Sequence, residues 1–266
     1  MTEGDEMHNT HTANCTIVVC SCDKYADLHG AFAHFMHLNW PDRPFPIVLV
    51  TESVCGGGEW DAVIRTGGGK PWCTMLAEAL ETISTPAVML MMDDYLISRK
   101  VETAQILRRL EQFERLGLLN LRLSPNPKPS GGAVDGLCEY KKNTAYCVSC
   151  QTGFWDREWL RSLASKFASA WEFERMGSFS FTADETRPIV CTEGVEFHYV
   201  DSVHKGYWEK AGVRLCAANG YEIDFTRRTL PPLKVRFAEL VKKIIFHIVP
   251  VNLLVRFQNR FGGGAK

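Results

Sequence analysis

The chain has 266 residues, 45% of them hydrophobic, and a formal net charge of −1. That length and composition can fill the core of one large α/β domain or two small ones. The balanced charge provides no field that would select nucleic acid or a strongly acidic partner, and no apolar run reaches the roughly 18 residues that a membrane-spanning helix needs.

Residues 1–14 are polar and rich in Thr and His, without the apolar stretch of a secretory leader. They are expected to be disordered, and the protein to be cytoplasmic. The first expected strand covers 15–22, an uncharged run containing Thr16-Ile17-Val18-Val19, as a fully buried parallel strand reads. It ends in Ser21-Cys22-Asp23-Lys24-Tyr25, with a helix expected over 26–38. Pro44-Phe45-Pro46 leads into a second buried strand at 47–50, closed by Thr51-Glu52. Glycines at 56–58 and 67–69 form flexible connections around a short strand at 62–64.

Apolar residues at 72, 76, 79, 80 and 83 have helical spacing, and Pro86 ends that stretch. The apolar strand 87–92 follows and stops at Asp93-Asp94. A helix is expected over 101–116, with Gly117 as its stop. This alternation predicts a doubly wound, mainly parallel sheet with right-handed crossovers.

The second half has a different rhythm. A strand at 119–123, a Pro/Gly/Ser-rich loop at 124–136, a short strand at 146–149, a helix over 156–167 and strands at 189–191 and 195–200 read as an α+β extension of the same sheet. The ten cysteines lie partly in apolar strand-like runs, and Cys147-Val148-Ser149-Cys150 is a lone C-x-x-C. They are expected to be reduced, structural thiols. Residues 227–266 carry nine Lys or Arg and one Glu. Leu233, Phe237, Leu240, Val241, Ile244 and Ile245 recur there at helical spacing among Lys234, Arg236, Lys242 and Lys243. Such a basic amphipathic tail suits an anionic membrane surface, and equally a helix packed on the core with a solvated basic face.

Ligands of open α/β sheets bind beyond the carboxyl ends of the strands, where Asp93 and Asp94 follow the most hydrophobic strand of the chain. Two adjacent carboxylates repel one another, and Mg²⁺ or Mn²⁺ would relieve that while leaving room for phosphate oxygens. The alternative is a polar strand end, with one Asp capping the following turn.

Trp72-x-x-x-Leu76-x-x-Ala79-Leu80, an apolar strand and Met92-Asp93-Asp94-Tyr95-Leu96 resemble the nucleotide-sugar-dependent glycosyltransferases of the GT-A fold, close to glycosyltransferase family 2. The resemblance covers roughly residues 15–215 and departs from the family at Tyr95, where a third acidic residue is usual. It implies a nucleotide-sugar donor and a divalent cation held by Asp93, Asp94 and a late histidine, His204 or else His198. It also implies nucleotide contacts from Ser21, Asp23, Tyr25, Glu52 and Trp72, and a diphosphate contact from Lys205. Gln151-Thr152-Gly153-Phe154-Trp155-Asp156 and Trp171-Glu172-Phe173-Glu174 resemble the acceptor-side segment. An inverting transfer needs a carboxylate base opposite the leaving diphosphate. Glu174 is the first choice, Glu172 the second and Asp156 the third, while the alternative reading of the same Trp-Glu-Phe-Glu run is an amphipathic helix with its aromatics buried and both Glu in water. Arg122, ending a central strand, faces either the pocket or a salt bridge.

The expected organisation is a nucleotide-sugar-binding half at 15–123, an acceptor-binding half at 124–226 and the basic tail at 227–266. The expected reaction is sugar transfer to a glycan or lipid-linked acceptor, by a protein peripheral on the inner face of the cell membrane if residues 228–266 bind there. Two rivals are a sugar nucleotidyltransferase and a catalytically weak nucleotide-binding module recruited to a membrane. The first should carry a glycine-rich basic loop after the first strand, and Ser21–Tyr25 contains no glycine.

Overall fold

A computed structural model describes residues 14–235. The apolar runs become the centre of a nine-stranded sheet. Strand β1 (Cys15–Cys20) pairs in parallel with β2 (Ile47–Thr51) on one side. Helix α1 (His29–Asn39) connects them, and β3 (Ala62–Arg65) adds a parallel edge to β2. Helix α2 (Trp72–Thr82) then returns the chain to β4 (Ala87–Met92), which pairs in parallel with the other side of β1. Next come β5 (Tyr95–Ile97), α3 (Thr103–Arg115), β6 (Asn120–Arg122), β7 (Ala133–Val134) and β8 (Leu137–Glu139). They are followed by β9 (Gly153–Asp156), α4 (Arg157–Ala164), α5 (Ala170–Gly177), β10 (Ile189–Thr192) and β11 (Tyr199–Asp201). The hairpin of β12 (Val203–His204) and β13 (Tyr207–Trp208) precedes α6 (Lys210–Ala218).

The strand order is β3-β2-β1-β4-β9-β6-β10-β8-β7. The second half therefore extends the same sheet, and it does so through a reversed strand: β9 runs antiparallel to both β4 and β6. Gly153 permits this approach, since a Cβ there would lie 2.4 Å from the Leu121 carbonyl oxygen. Alternation along β1 divides the core. Cys15, Ile17 and Val19 join a cluster with residues of α1 and α3, and Val18 and Cys20 join one with residues of α2 and α4. Both faces are covered, which is why the central strands show no polar alternation.

Several sequence expectations need correction. The helix after β1 begins late, because Asp23–Tyr25 form a separate 3₁₀ turn. Residues 146–149 are not a strand; the Val148 amide is held by the Ser178 hydroxyl at 3.0 Å. The helix expected from residue 156 starts one residue later, with Asp156 ending β9 and accepting from the Trp159 amide at 2.7 Å as its cap. All ten cysteines are free thiols, as expected. Arg228, read as part of the basic tail, is instead buried against the domain. The stretches 1–13 and 236–266, which hold most of the expected N-terminal disorder and of the amphipathic pattern, lie outside the described residues. Among the described residues, no helix is long and apolar enough to cross a membrane.

Candidate active site

Register fixes which residues share the mouth of the sheet. Cys20 lies level with Val50 on one side and Met92 on the other. The residues that follow, Ser21, Thr51 and Asp93, therefore emerge side by side at the carboxyl ends of three parallel strands. Asp93 is 5% exposed and its Oδ2 accepts a short hydrogen bond from the Ser21 hydroxyl. Burial holds the Asp93 carboxyl well above the usual carboxylate range, against the Ser21 hydrogen bond, which favours the anion. Asp94 is half-buried and is raised too, by burial first and then by the charges of Asp93 and Asp201.

Asp201 belongs to this site although the sequence did not single it out. Strand β11 pairs antiparallel with β5 and sets Asp201 opposite Tyr95. The next residue closes the arrangement: the Ser202 amide and hydroxyl both donate to the Asp94 carbonyl oxygen, at 2.9 and 2.8 Å. Asp94 thus feels the charges of two other carboxylates at the mouth of the sheet. Partial burial raises Asp201, and His204 counters that rise.

Arg228 is the second residue missed. Its Nε and Nη2 donate to the two carboxylate oxygens of Asp27, each at 2.9 Å, and its guanidinium lies 4.4 Å from the centre of the Tyr25 ring. From there its charge lowers Asp93 and Asp94, though less than burial raises them. A lone Arg among nine basic residues carries no sign of such a place in the sequence.

The acceptor-side expectation places Glu174 on α5, half-buried. Its Oε1 accepts from the Ser149 hydroxyl at 2.8 Å and from the Cys150 amide at 2.7 Å, and its charge is felt at Asp201. Glu172 does different work. Its amide donates to Ser169 at 3.2 Å and its carboxylate accepts from the Ala168 amide at 3.0 Å, closing the N-terminus of α5. Asp156 pairs in register with Ala87, at the opposite end of β4 from the acidic pair. Five residue steps separate the two ends, about 17 Å, and Asp156 is further occupied by Arg187 at 3.1 Å. It is not placed to be the base.

A cavity of about 310 Å³ adjoins this edge, walled in part by Asn126, Gln151, His198, Tyr199 and Asp201. Tyr199 stacks on Tyr95 with ring centres 4.2 Å apart, and the Gln151 amide bridges both phenols, accepting from Tyr199 and donating to Tyr95 at 3.5 Å. Tyr95, the departure from the usual acidic position, thus packs behind Tyr199 and Gln151 of the cavity wall.

The remaining expected residues take varied places. Asp23 accepts from the Ser53 hydroxyl and from the Ser53 and Val54 amides at 2.9 and 2.8 Å, which hold its carboxyl down at about 2. Glu52 accepts from the Asp23 amide at 2.9 Å and from the Gly69 amide at 3.3 Å. Tyr25 is half-buried beside Asp93 and Asp94. Trp72 donates to the Cys20 carbonyl at 3.3 Å and meets Phe173 edge to face. His204 and Lys205 sit on the tight β12–β13 hairpin, whose turn has positive φ at Lys205 and Gly206. Arg122 is fully buried. It donates to the Asn126 and Cys147 carbonyls and packs under Tyr140, so carbonyl oxygens take the place of the expected salt bridge.

Among the described residues, no group of three or more His, Cys, Asp or Glu side chains is arranged to hold a metal ion by itself. The acidic mouth nevertheless fits a divalent cation in the way Mg²⁺ is usually bound, by one or two carboxylates with phosphate oxygens completing the shell. Asp93 and Asp94 supply hard oxygen donors whose mutual repulsion such a cation would relieve.

No protein-family model and no curated protein matches this sequence. Solved structures do resemble it in shape. UDP-glucose pyrophosphorylase complexed with UDP-glucose is 7% identical, with a TM-score of 0.50 and coverage of 78% of this chain and 98% of that one. The 2-C-methyl-D-erythritol 4-phosphate cytidylyltransferase of Thermus thermophilus is 14% identical, with a TM-score of 0.44 and coverage of 77% and 98%. S. aureus TarS 1–349 is 12% identical, with a TM-score of 0.45 and coverage of 71% of this chain. This chain spans 60% of that one's length. The sheet, with its reversed β9 beside β4, is a GT-A-like fold.

Proposed function

We propose, with the GT-A-like fold as premise, that this chain is a transferase that moves a sugar from a nucleoside-diphosphate sugar to a hydroxyl of a glycan or lipid-linked acceptor. The observation that carries this reading is the placing of Asp93, Asp94 and Asp201 at the carboxyl end of the sheet, with burial raising Asp93 and Asp94 and the charges of Asp93 and Asp201 raising Asp94 further. Such a cluster is costly to build and gains most from a bound cation and diphosphate. Asp93 and Asp94 would hold Mg²⁺ or Mn²⁺, which offsets the charge that develops on the departing diphosphate. In this reading Tyr25, Trp72 and the Asp23–Glu52 loop would contact the base and ribose, and Lys205 the diphosphate.

The acceptor would enter the cavity lined by Gln151, Tyr199 and Asp201. Glu174 takes the proton from its hydroxyl as that oxygen bonds to the anomeric carbon and the bond from that carbon to the diphosphate oxygen breaks. The Ser149 and Cys150 donors fix one oxygen of Glu174, leaving the other for this role. Attack from the face opposite the leaving group inverts the anomeric centre.

The test is incubation with a panel of nucleotide sugars and Mn²⁺, following release of nucleoside diphosphate. Release with at least one donor supports the reading. Pyrophosphate release from a nucleoside triphosphate and a sugar 1-phosphate would favour a nucleotidyltransferase instead, and tight nucleotide binding without any turnover a binding module. A peripheral membrane role rests on the basic pattern beyond residue 235. A chain ending there should no longer co-sediment with anionic vesicles, and unchanged co-sedimentation would contradict that role.

A further inference from the structure

Behind Asp93 lies a buried polar chain that the proposed transfer does not use directly. Ser21 is 2% exposed and His29, which opens α1, is 0% exposed. The Ser21 hydroxyl is 2.7 Å from His29 Nε2, and the Gly56 amide donates to His29 Nδ1 at 3.0 Å. Only glycine permits that last contact, since a Cβ at residue 56 would lie 2.0 Å from the Ala26 carbonyl oxygen.

These contacts dictate where each hydrogen lies. Because Nδ1 accepts from a backbone N–H, it carries no proton, and a neutral imidazole must then carry its proton on Nε2. An imidazolium would aim two N–H groups at each other across the Gly56 contact. Nε2–H therefore donates to the Ser21 oxygen, and the single Ser21 hydrogen is left for Asp93 Oδ2. The chain runs one way, whatever the protonation of Asp93 Oδ1.

We propose that His29 is a positioning residue for Asp93, acting through Ser21 and oriented by the Gly56 amide. Three successive donors fix Oδ2, so that Asp93 presents Oδ1 to the mouth of the sheet in a single orientation. Gly56 belongs to the loop after β2, whose residues 53 and 54 bind Asp23. The same chain thus ties the orientation of Asp93 to the loop on the nucleotide side. Its part in turnover rests on the transferase reading, whereas the hydrogen-bond chain itself does not.

Long-range ¹H–¹⁵N spectra of the full chain should show His29 as the Nε2–H tautomer throughout the neutral range; an Nδ1–H tautomer or an imidazolium there overturns the chain. A crystal structure of Ser21→Ala should show the Asp93 carboxylate turned from its wild-type orientation, and an unmoved carboxylate overturns the positioning. Loss of an outer supporting partner costs about 10- to 100-fold in activity or affinity. Ser21→Ala should accordingly lose about that much kcat while the donor KM stays near wild type. Ser21→Thr should recover most of it, as should His29→Gln, whose amide nitrogen can replace Nε2, whereas His29→Leu should not. Wild-type kcat in both Ser21→Ala and His29→Leu would show that turnover does not depend on the chain. A wild-type protein without turnover would tell against the transferase reading, and the spectrum and the crystal structure would still decide the positioning.

Discussion

Asp23 and Glu52 stand at the same end of the sheet as Asp93 and Asp94, and the two pairs are held in opposite ways. The loops after β1 and β2 wrap the first pair in donors: Asp23 accepts from two amides and a hydroxyl, and Glu52 accepts from the Asp23 amide itself. The second pair is buried beside a third carboxylate, Asp201, with Ser21 as the one hydroxyl donating to Asp93. In the first pair the protein supplies all the compensation a carboxylate needs, and the acids serve to shape a loop. In the second it withholds compensation, and a bound cation and diphosphate would supply it. The same residue type at the same kind of strand end is architecture in one place and, on the proposed reading, a site in the other.

Breaking the second pair should have the largest effect on function. Asp94→Asn is expected to lower donor hydrolysis by about a thousandfold, the scale of losing a main electrostatic contact to a developing charge. The same change should raise the melting temperature of the cation-free protein, because it removes a repelling charge. A variant that is both active and no more stable would erase the contrast between the pairs. Glu174→Gln comes next, with transfer falling at least about a hundredfold while the donor still binds, as donor affinity measured in parallel would show. If Glu172→Gln is the inactive variant instead, the cap and the base have been exchanged.

Arg228→Ala probes the counter-charge. It strands Asp27 without its buried partner, a loss of about 3 kcal/mol that chemical denaturation would register. No change in stability would mean that the ion pair is not formed in solution. The last probe is pH dependence, where Asp23 should differ in sign from Asp93 and Asp94. The folded chain keeps protons on Asp93 and Asp94 that the unfolded chain has released by about pH 4. Stability without cation should therefore fall as pH rises from there through their raised pKa values, and Mn²⁺ should flatten that fall. Asp23 contributes oppositely: its part is present above the ordinary carboxylate range and is lost as pH drops toward about 2. Asp23→Asn should remove only that acid-side part of the curve.

The first half of the fold was open to a reading of the sequence because its central strands β1, β2 and β4 are buried on both faces. Uninterrupted runs such as Ala87–Met92 can be recognised without knowing their neighbours, and the polar residues that end them mark the mouth of the sheet. The second half was harder. Strands β6, β9 and β11 are only three or four residues long, and their pairing is set by contacts distant in sequence. Asp201 illustrates the cost, as nothing in Tyr199-Val200-Asp201 marks it as a neighbour of Asp94 until β11 pairs with β5. Arg228 was obscured differently, since its basic surroundings suggested a tail while its partner Asp27 lies 201 residues away. Asp156 shows the reverse error, a carboxylate with suitable aromatic neighbours that the register of β9 carries to the wrong end of the sheet.

What the acidic mouth holds decides between a site and a mere strand end. A crystal of the protein soaked with Mn²⁺ and nucleoside diphosphates, with the metal located by anomalous scattering, addresses this without any assay of turnover. A manganese peak bound by Asp94 or Asp93 and bridged to diphosphate oxygens is the expected outcome. A diphosphate bound elsewhere, or no metal at these aspartates at saturating Mn²⁺, would contradict it.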